Sequence, residues 1–93
     1  MQKIKTTVKI AGKEYVLATY DSEEYVQEVA AWVDRQMSEL GEATKLPAGQ
    51  LAVLTAVNAA DDMIKSREEI RRLRRQLEEA QQEIERLKNH VQA

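Results

Sequence analysis

Cysteine and phenylalanine are absent from this 93-residue chain, which holds one proline, three glycines, one tryptophan and three tyrosines. Without cysteine, neither a disulfide nor a thiolate-bound metal can staple a small core, and such usage suits a reducing cytoplasm. The single histidine, His90, has no second imidazole or thiol to share a metal or a proton with, which disfavours a metal or catalytic role. Asp61 and Asp62 are adjacent, so on a helix their carboxylates point about 100° apart and share no face for acid and base work. Ser66 has no histidine in pattern with it, and a glycine-rich phosphate loop is missing. The expectation is therefore a protein that is not an enzyme and needs no cofactor or metal. No stretch approaches the roughly 18 apolar residues that span a bilayer, and Met1-Gln2-Lys3-Ile4-Lys5 lacks the apolar run of a signal peptide. A soluble, cytoplasmic protein with no membrane partner is expected.

What the chain does have is a long helical pattern from Pro47 onward. Its second half reads Ile70, Leu73, Leu77, Ala80, Ile84, Leu87 and Val91, alternating steps of three and four. These are the a and d positions of a heptad seam, and a helix carrying it must pair along its length to hide the stripe. Nothing else in the chain offers a matching partner, so a second copy or another coiled-coil chain is implied. About 44 helical residues at about 1.5 Å each would make a rod on the order of 65 Å long. In a parallel pair, rim positions would match Glu69 with Arg74 and Glu83 with Lys88 across the two chains, while an antiparallel arrangement or a four-helix assembly stays open, since Ala80 at a d position narrows the seam.

The first half reads as a small head. Ile4, Thr6, Val8 and Ile10 alternate with Lys3, Lys5, Thr7 and Lys9, the pattern of a half-buried strand. A two-residue turn at Gly12-Lys13 would set Ile10 opposite Tyr15 and Val8 opposite Leu17, all on one face. Asp21-Ser22-Glu23-Glu24 reads as a helix start capped by Asp21, and Val26, Val29, Ala30, Val33, Met37 and Leu40 follow at helical spacing until Gly41 ends the run. From Leu51 to Ala60 the long helix is apolar almost all round, broken only by Thr55 and Asn58. One hairpin and one short helix cannot enclose such a segment, so the head must also belong to the subunit contact.

The fold class expected is α+β: an N-terminal β-hairpin and a short helix packed on a long helix that extends into a coiled coil, in an intertwined oligomer. The head spans 1–66, with the hairpin at 3–19, the first helix at 22–40 and the long helix starting at 47; 67–93 form the coiled-coil extension. The expected oligomer interface comprises Leu51, Leu54, Val57, Asn58 and Met63 in or next to the apolar segment, followed by Ile70, Leu73, Leu77, Ala80, Ile84, Leu87 and Val91 in the seam. Asn58, the one strong hydrogen-bonding side chain in that segment, reads as a structural residue that fixes register.

Charge is segmented although its net value is only −2. That balance argues against binding a polyanion through overall charge. Arg71-Arg72-Leu73-Arg74-Arg75 resembles the basic region of a zipper-type DNA binder, but these arginines lie within the seam, with acids on both flanks. Glu68–Arg72, Arg74–Glu78 and Arg75–Glu79 pairs at i,i+4 make a solvated face the preferred reading. A nucleic-acid binder, or an adaptor that pairs with a foreign coiled coil, is the alternative class.

Val8-x-Ile10-x-Gly12-x-x-Tyr15, the Asp21-Ser22-Glu23 helix start leading to Met37 and Leu40, and Ala52-Val53-Leu54-Thr55-Ala56-Val57-Asn58-Ala59-Ala60-Asp61 opening a coiled coil together resemble the ZapA cell-division proteins in their shorter form. The resemblance covers essentially the whole chain, and the segment around Ala56-Val57-Asn58 is its most specific part. It implies a bacterial cytoplasmic protein at the division site that binds FtsZ, the tubulin-like GTPase of the division ring, and bundles its filaments. It also implies a homodimer that pairs into a tetramer through the coiled coil. Family contacts on charged positions of the head would correspond to Lys13, beside the hairpin glycine, and Lys45, after the first helix.

Overall fold

The computed structural model describes residues 2–92. Its elements are β1 (Ile4–Ile10), β2 (Lys13–Thr19), α1 (Glu23–Thr44) and α2 (Ala48–Gln92). The chain divides into two compact units, Met1–Asn58 and Ala59–Ala93. The first contains the hairpin, α1 and the opening turns of α2; the second is helical throughout its described length.

The two strands pair antiparallel with Ile10 opposite Lys13, Val8 opposite Tyr15 and Thr6 opposite Leu17. This corrects the expected turn: its central residues are Ala11 and Gly12, not Gly12 and Lys13. Both have positive φ, 53° and 79°, as a type I′ turn requires, and that turn follows the natural twist of the strands. The shift is two residues along β2, and because side chains alternate with period two the same set still shares one face. The left-handed conformation is unfavourable at Ala11. It is held there by a bond from the Ala11 N–H to Asp34 Oδ1 on α1, 2.8 Å long.

α1 lies on β1. Val8 is buried with Val26 and Ala30, Ile10 packs against this cluster, and Met37 is buried further along the helix. The spacing of Val26, Ala30 and Met37 is that of one helical face, so most of the stripe in the sequence becomes the inner side of α1, whereas Val29 stays exposed. A second tie comes from Gln27, whose Nε2 donates to the Thr7 carbonyl at 2.8 Å and so satisfies a backbone group of β1. Tyr15 and Leu17, on the same sheet face as Val8, remain exposed on β2. At the open end of the hairpin, Lys3 Nζ stands 5.6 Å from the centre of the Tyr20 ring, a cation–π contact.

Both ends of α1 differ from expectation. The N-cap is Ser22, with extended backbone, and its Oγ accepts from the Tyr25 N–H at 3.2 Å. Asp21 instead joins a local turn in which its N–H donates to Thr19 Oγ1. At the other end the helix runs through Gly41 to Thr44, and the left-handed cap is Lys45, φ 58°, whose N–H donates to the Gly41 carbonyl at 2.9 Å. Gly41 serves packing rather than termination: a methyl group added there would stand 3.3 Å from Leu51 Cδ1. Pro47 precedes α2, and its carbonyl accepts from the Leu51 N–H at 3.0 Å, so its missing N–H costs the helix nothing.

Replacing Asp34 with Ala removes the acceptor that secures the strained turn. Urea unfolding is expected to show a loss of about 0.5–1.5 kcal/mol, the ordinary net value of such a bond; unchanged stability would mean that the turn holds itself.

Candidate oligomer and partner interfaces

In the unit from Ala59 onward, α2 carries its apolar stripe uncovered. Met63 is 48% exposed, Ile70 46%, Leu73 49%, Leu77 57%, Ile84 54%, Leu87 48% and Val91 82%, and Ala80 is exposed as well. Isolated exposed apolar residues are ordinary, but a heptad-spaced row of them is a surface waiting for another helix. Three pairs of charged side chains on this helix are engaged along it. Lys65 pairs with Asp61 at 2.9 Å, which raises the lysine pKa chiefly through that hydrogen bond. Arg72 forms a two-pronged contact with Glu69, and Arg86 one with Glu83.

These partners replace the expected ones. Arg72 engages Glu69 at i,i+3 rather than Glu68 at i,i+4, and neither Arg74–Glu78 nor Arg75–Glu79 closes as an ion pair among the described residues. Glu69 and Glu83, the acids that a parallel pairing would share across chains, bond Arg72 and Arg86 within the chain. The hydrogen bond from Arg72 holds the Glu69 carboxyl below its ordinary range. A depressed carboxyl pKa contributes stability above the ordinary carboxylate range, which is lost as pH falls through the lowered value. With the pair fully exposed, solvent screening keeps that contribution small.

In the unit up to Asn58, the apolar segment of α2 is mostly uncovered. Leu51, Leu54 and Asn58 are half-buried, whereas Val53 and Val57 are 65% and 58% exposed. Beside it a groove of about 420 Å³ is lined by Ile10, Tyr15 and Leu17 from the sheet, Val33 and Met37 from α1, and Ala52 from α2, with Lys13 also on its wall. Lys13 stands opposite Ile10 and so on the apolar side of the sheet. Lys45 does not line this groove; it is exposed and forms the left-handed cap of α1. The two lysines named from the resemblance are thus not gathered at one pocket. His90 is exposed in the last turn of α2.

The sequence profile described as Cell division protein ZapA matches residues 6–91, most of both units. The chain belongs to the ZapA family of cell division proteins. Among relatives named Cell division protein ZapA, that of Halalkalibacterium halodurans is 50% identical over 76 residues, covering 81% of this chain and 84% of its own. That of Bacillus subtilis is 40% identical over 79 residues, covering 84% and 93%. Among solved structures, a ZapA mutant dimer from Geobacillus stearothermophilus superposes with a TM-score of 0.68 at 39% identity, covering 84% of this chain and 92% of that one. The hairpin, short helix and long helix seen here are therefore the ZapA fold.

Two polar positions of the ZapA head, Gln27 and Asp34, escaped the sequence reading, and Thr55 was read only as a break in the apolar segment. The first two act through bonds to backbone groups far along the chain, which no local pattern announces. Thr55 is 4% exposed, and its hydroxyl has no hydrogen-bond partner in the chain, as is also true of Thr6 on β1. Its place inside an almost wholly apolar decad was the available signal. Replacing a buried, unbonded hydroxyl by a methyl group of the same shape is neutral or favourable, so Thr55→Val is expected to raise stability by up to about 1 kcal/mol in thermal unfolding. A loss instead would mean that the folded assembly bonds this hydroxyl.

Proposed function

We propose that this ZapA-family protein is a non-enzymatic cross-linker of FtsZ filaments that acts as a self-associated oligomer in the cytoplasm at the division site. The observation that carries the reading is the row from Ile70 to Val91, exposed at heptad spacing on a family member whose solved relative is a dimer. On this reading 1–66 form the head and 67–93 the coiled-coil extension. A homodimer joins through the seam and through the apolar segment with Leu51, Leu54, Val57, Asn58 and Met63, and a second copy covers the exposed Tyr15, Leu17 and the groove of the head. Pairing of dimers into a tetramer sets heads apart, and two modest contacts made at once bridge filaments by avidity without any new contact. Lys13 and Lys45 are the proposed FtsZ contacts, as exposed cations on a turn flank and a helix cap, where contacts often concentrate.

Adding the purified protein to FtsZ and GTP is expected to increase the bundled fraction recovered by low-speed pelleting; no increase across a range of salt removes the proposal. Ile84→Lys places a charge in the seam and is expected to reduce both native mass and bundling while the heads still bind FtsZ. Unchanged mass and bundling would show that the distal seam is idle.

A further inference from the structure

Arg71, Arg74 and Arg75 line one shallow hollow on α2 together with Glu68, and Arg67 lies one turn before them. At about 100° per residue, these four arginines centre about 110° round the helix from the row through Ile70, Leu73 and Leu77, with Arg71 and Arg75 on the far side and Arg67 and Arg74 at the rim of the seam. Closing the seam therefore leaves Arg71 and Arg75 open, with Arg67 and Arg74 at the rim. All four are exposed, and none joins an ion pair among the described residues, although Arg72 and Arg86 nearby are both engaged. A solvated helix face would be expected to neutralise its charges along the helix, as Lys65 does with Asp61. Here the positive charge stays concentrated.

We propose that the arginine face of α2 centred on Arg71 and Arg75, with Arg67 and Arg74 at its edge toward the seam, is a docking surface for a short acidic segment of a partner protein, separate from the contacts of the head. The footprint selects the class. Eight residue steps of helix cover about 12 Å, and guanidinium groups bind carboxylates through paired, planar hydrogen bonds. Beyond that length Glu78, Glu79, Glu83 and Glu85 follow on the same helix. A nucleic-acid duplex, with a charge about every 1.7 Å along its axis, would run from the arginines into those acids. An acidic peptide ends before it meets them.

The test uses the full chain and a fluorescein-labelled peptide of six glutamates, read by fluorescence anisotropy. Saturable binding is expected, weakening at least about tenfold as salt rises from about 50 to about 300 mM, because exposed charges are screened. Arg71→Glu with Arg75→Glu is expected to abolish it. Arg86→Glu with Lys88→Glu, which changes net charge by the same amount, is expected to leave binding within about threefold, since it lies outside the footprint. Circular dichroism and native mass verify that each variant keeps its helix and its assembly; Arg71→Gln with Arg75→Gln, milder in charge, replaces the first pair if it does not. Absence of peptide binding overturns the proposal, as does equal loss in both charge-reversed variants. Tighter binding of a 20-base-pair DNA duplex through the same arginines would also overturn it, in favour of a nucleic-acid surface.

Discussion

The pairing of amphipathic surfaces with too little cover inside one chain governs this molecule. Among the described residues, Val8, Val26, Ala30 and Met37 are the buried hydrophobic side chains, and three of the four are supplied by α1. β2 contributes none, so Tyr15 and Leu17 stand open beside the core. α2 adds a far longer apolar stripe, and from Ala59 onward no other element shares its unit. Hydrophobic burial is the main favourable term in folding, and a head with so little of it gains most by covering that surface with further chains. The membership in a family with a solved dimer accords with that demand.

Within the head, precision comes from polar ties as much as from packing. Asp34 reaches the turn and Gln27 reaches β1, so α1 is anchored to both the tip and the middle of the hairpin. These bonds fix the registration of a helix on a two-stranded sheet, which would otherwise be loosely determined by a handful of small apolar side chains. Gly41 does the corresponding work toward α2 by leaving room for Leu51. The oligomer proposal inherits this geometry, because a second chain has to fit a groove whose walls those ties position.

Along α2 the division of labour is by helix face. The apolar row stands exposed at heptad spacing, a few acids and bases neutralise one another at the spacing of a turn, and an arginine group joins no ion pair among the described residues. Exposed ion pairs add little stability, so their main consequence is to decide which charges remain available to a third molecule. Among the described residues Arg72 is paired and Arg71, Arg74 and Arg75 are not, a difference that composition or net charge does not reveal.

Alternation in β1, the helical stripe of α1 and the heptads of α2 were legible in the residues themselves, since each reports a period imposed by the backbone's own geometry. The same holds for the family resemblance and for the demand for further chains, which follow from the order and amount of apolar pattern. Register and termini were not legible. Ala11 takes a left-handed conformation that alanine avoids because Asp34, 23 residues away, accepts its N–H. Gly41 reads as a helix stop, yet the helix runs through it to a left-handed cap at Lys45, and its missing side chain leaves room for Leu51. Periodic pattern is a local property, written in neighbouring residues; the place where a strand turns or a helix ends is settled by groups brought near only after the chain has folded.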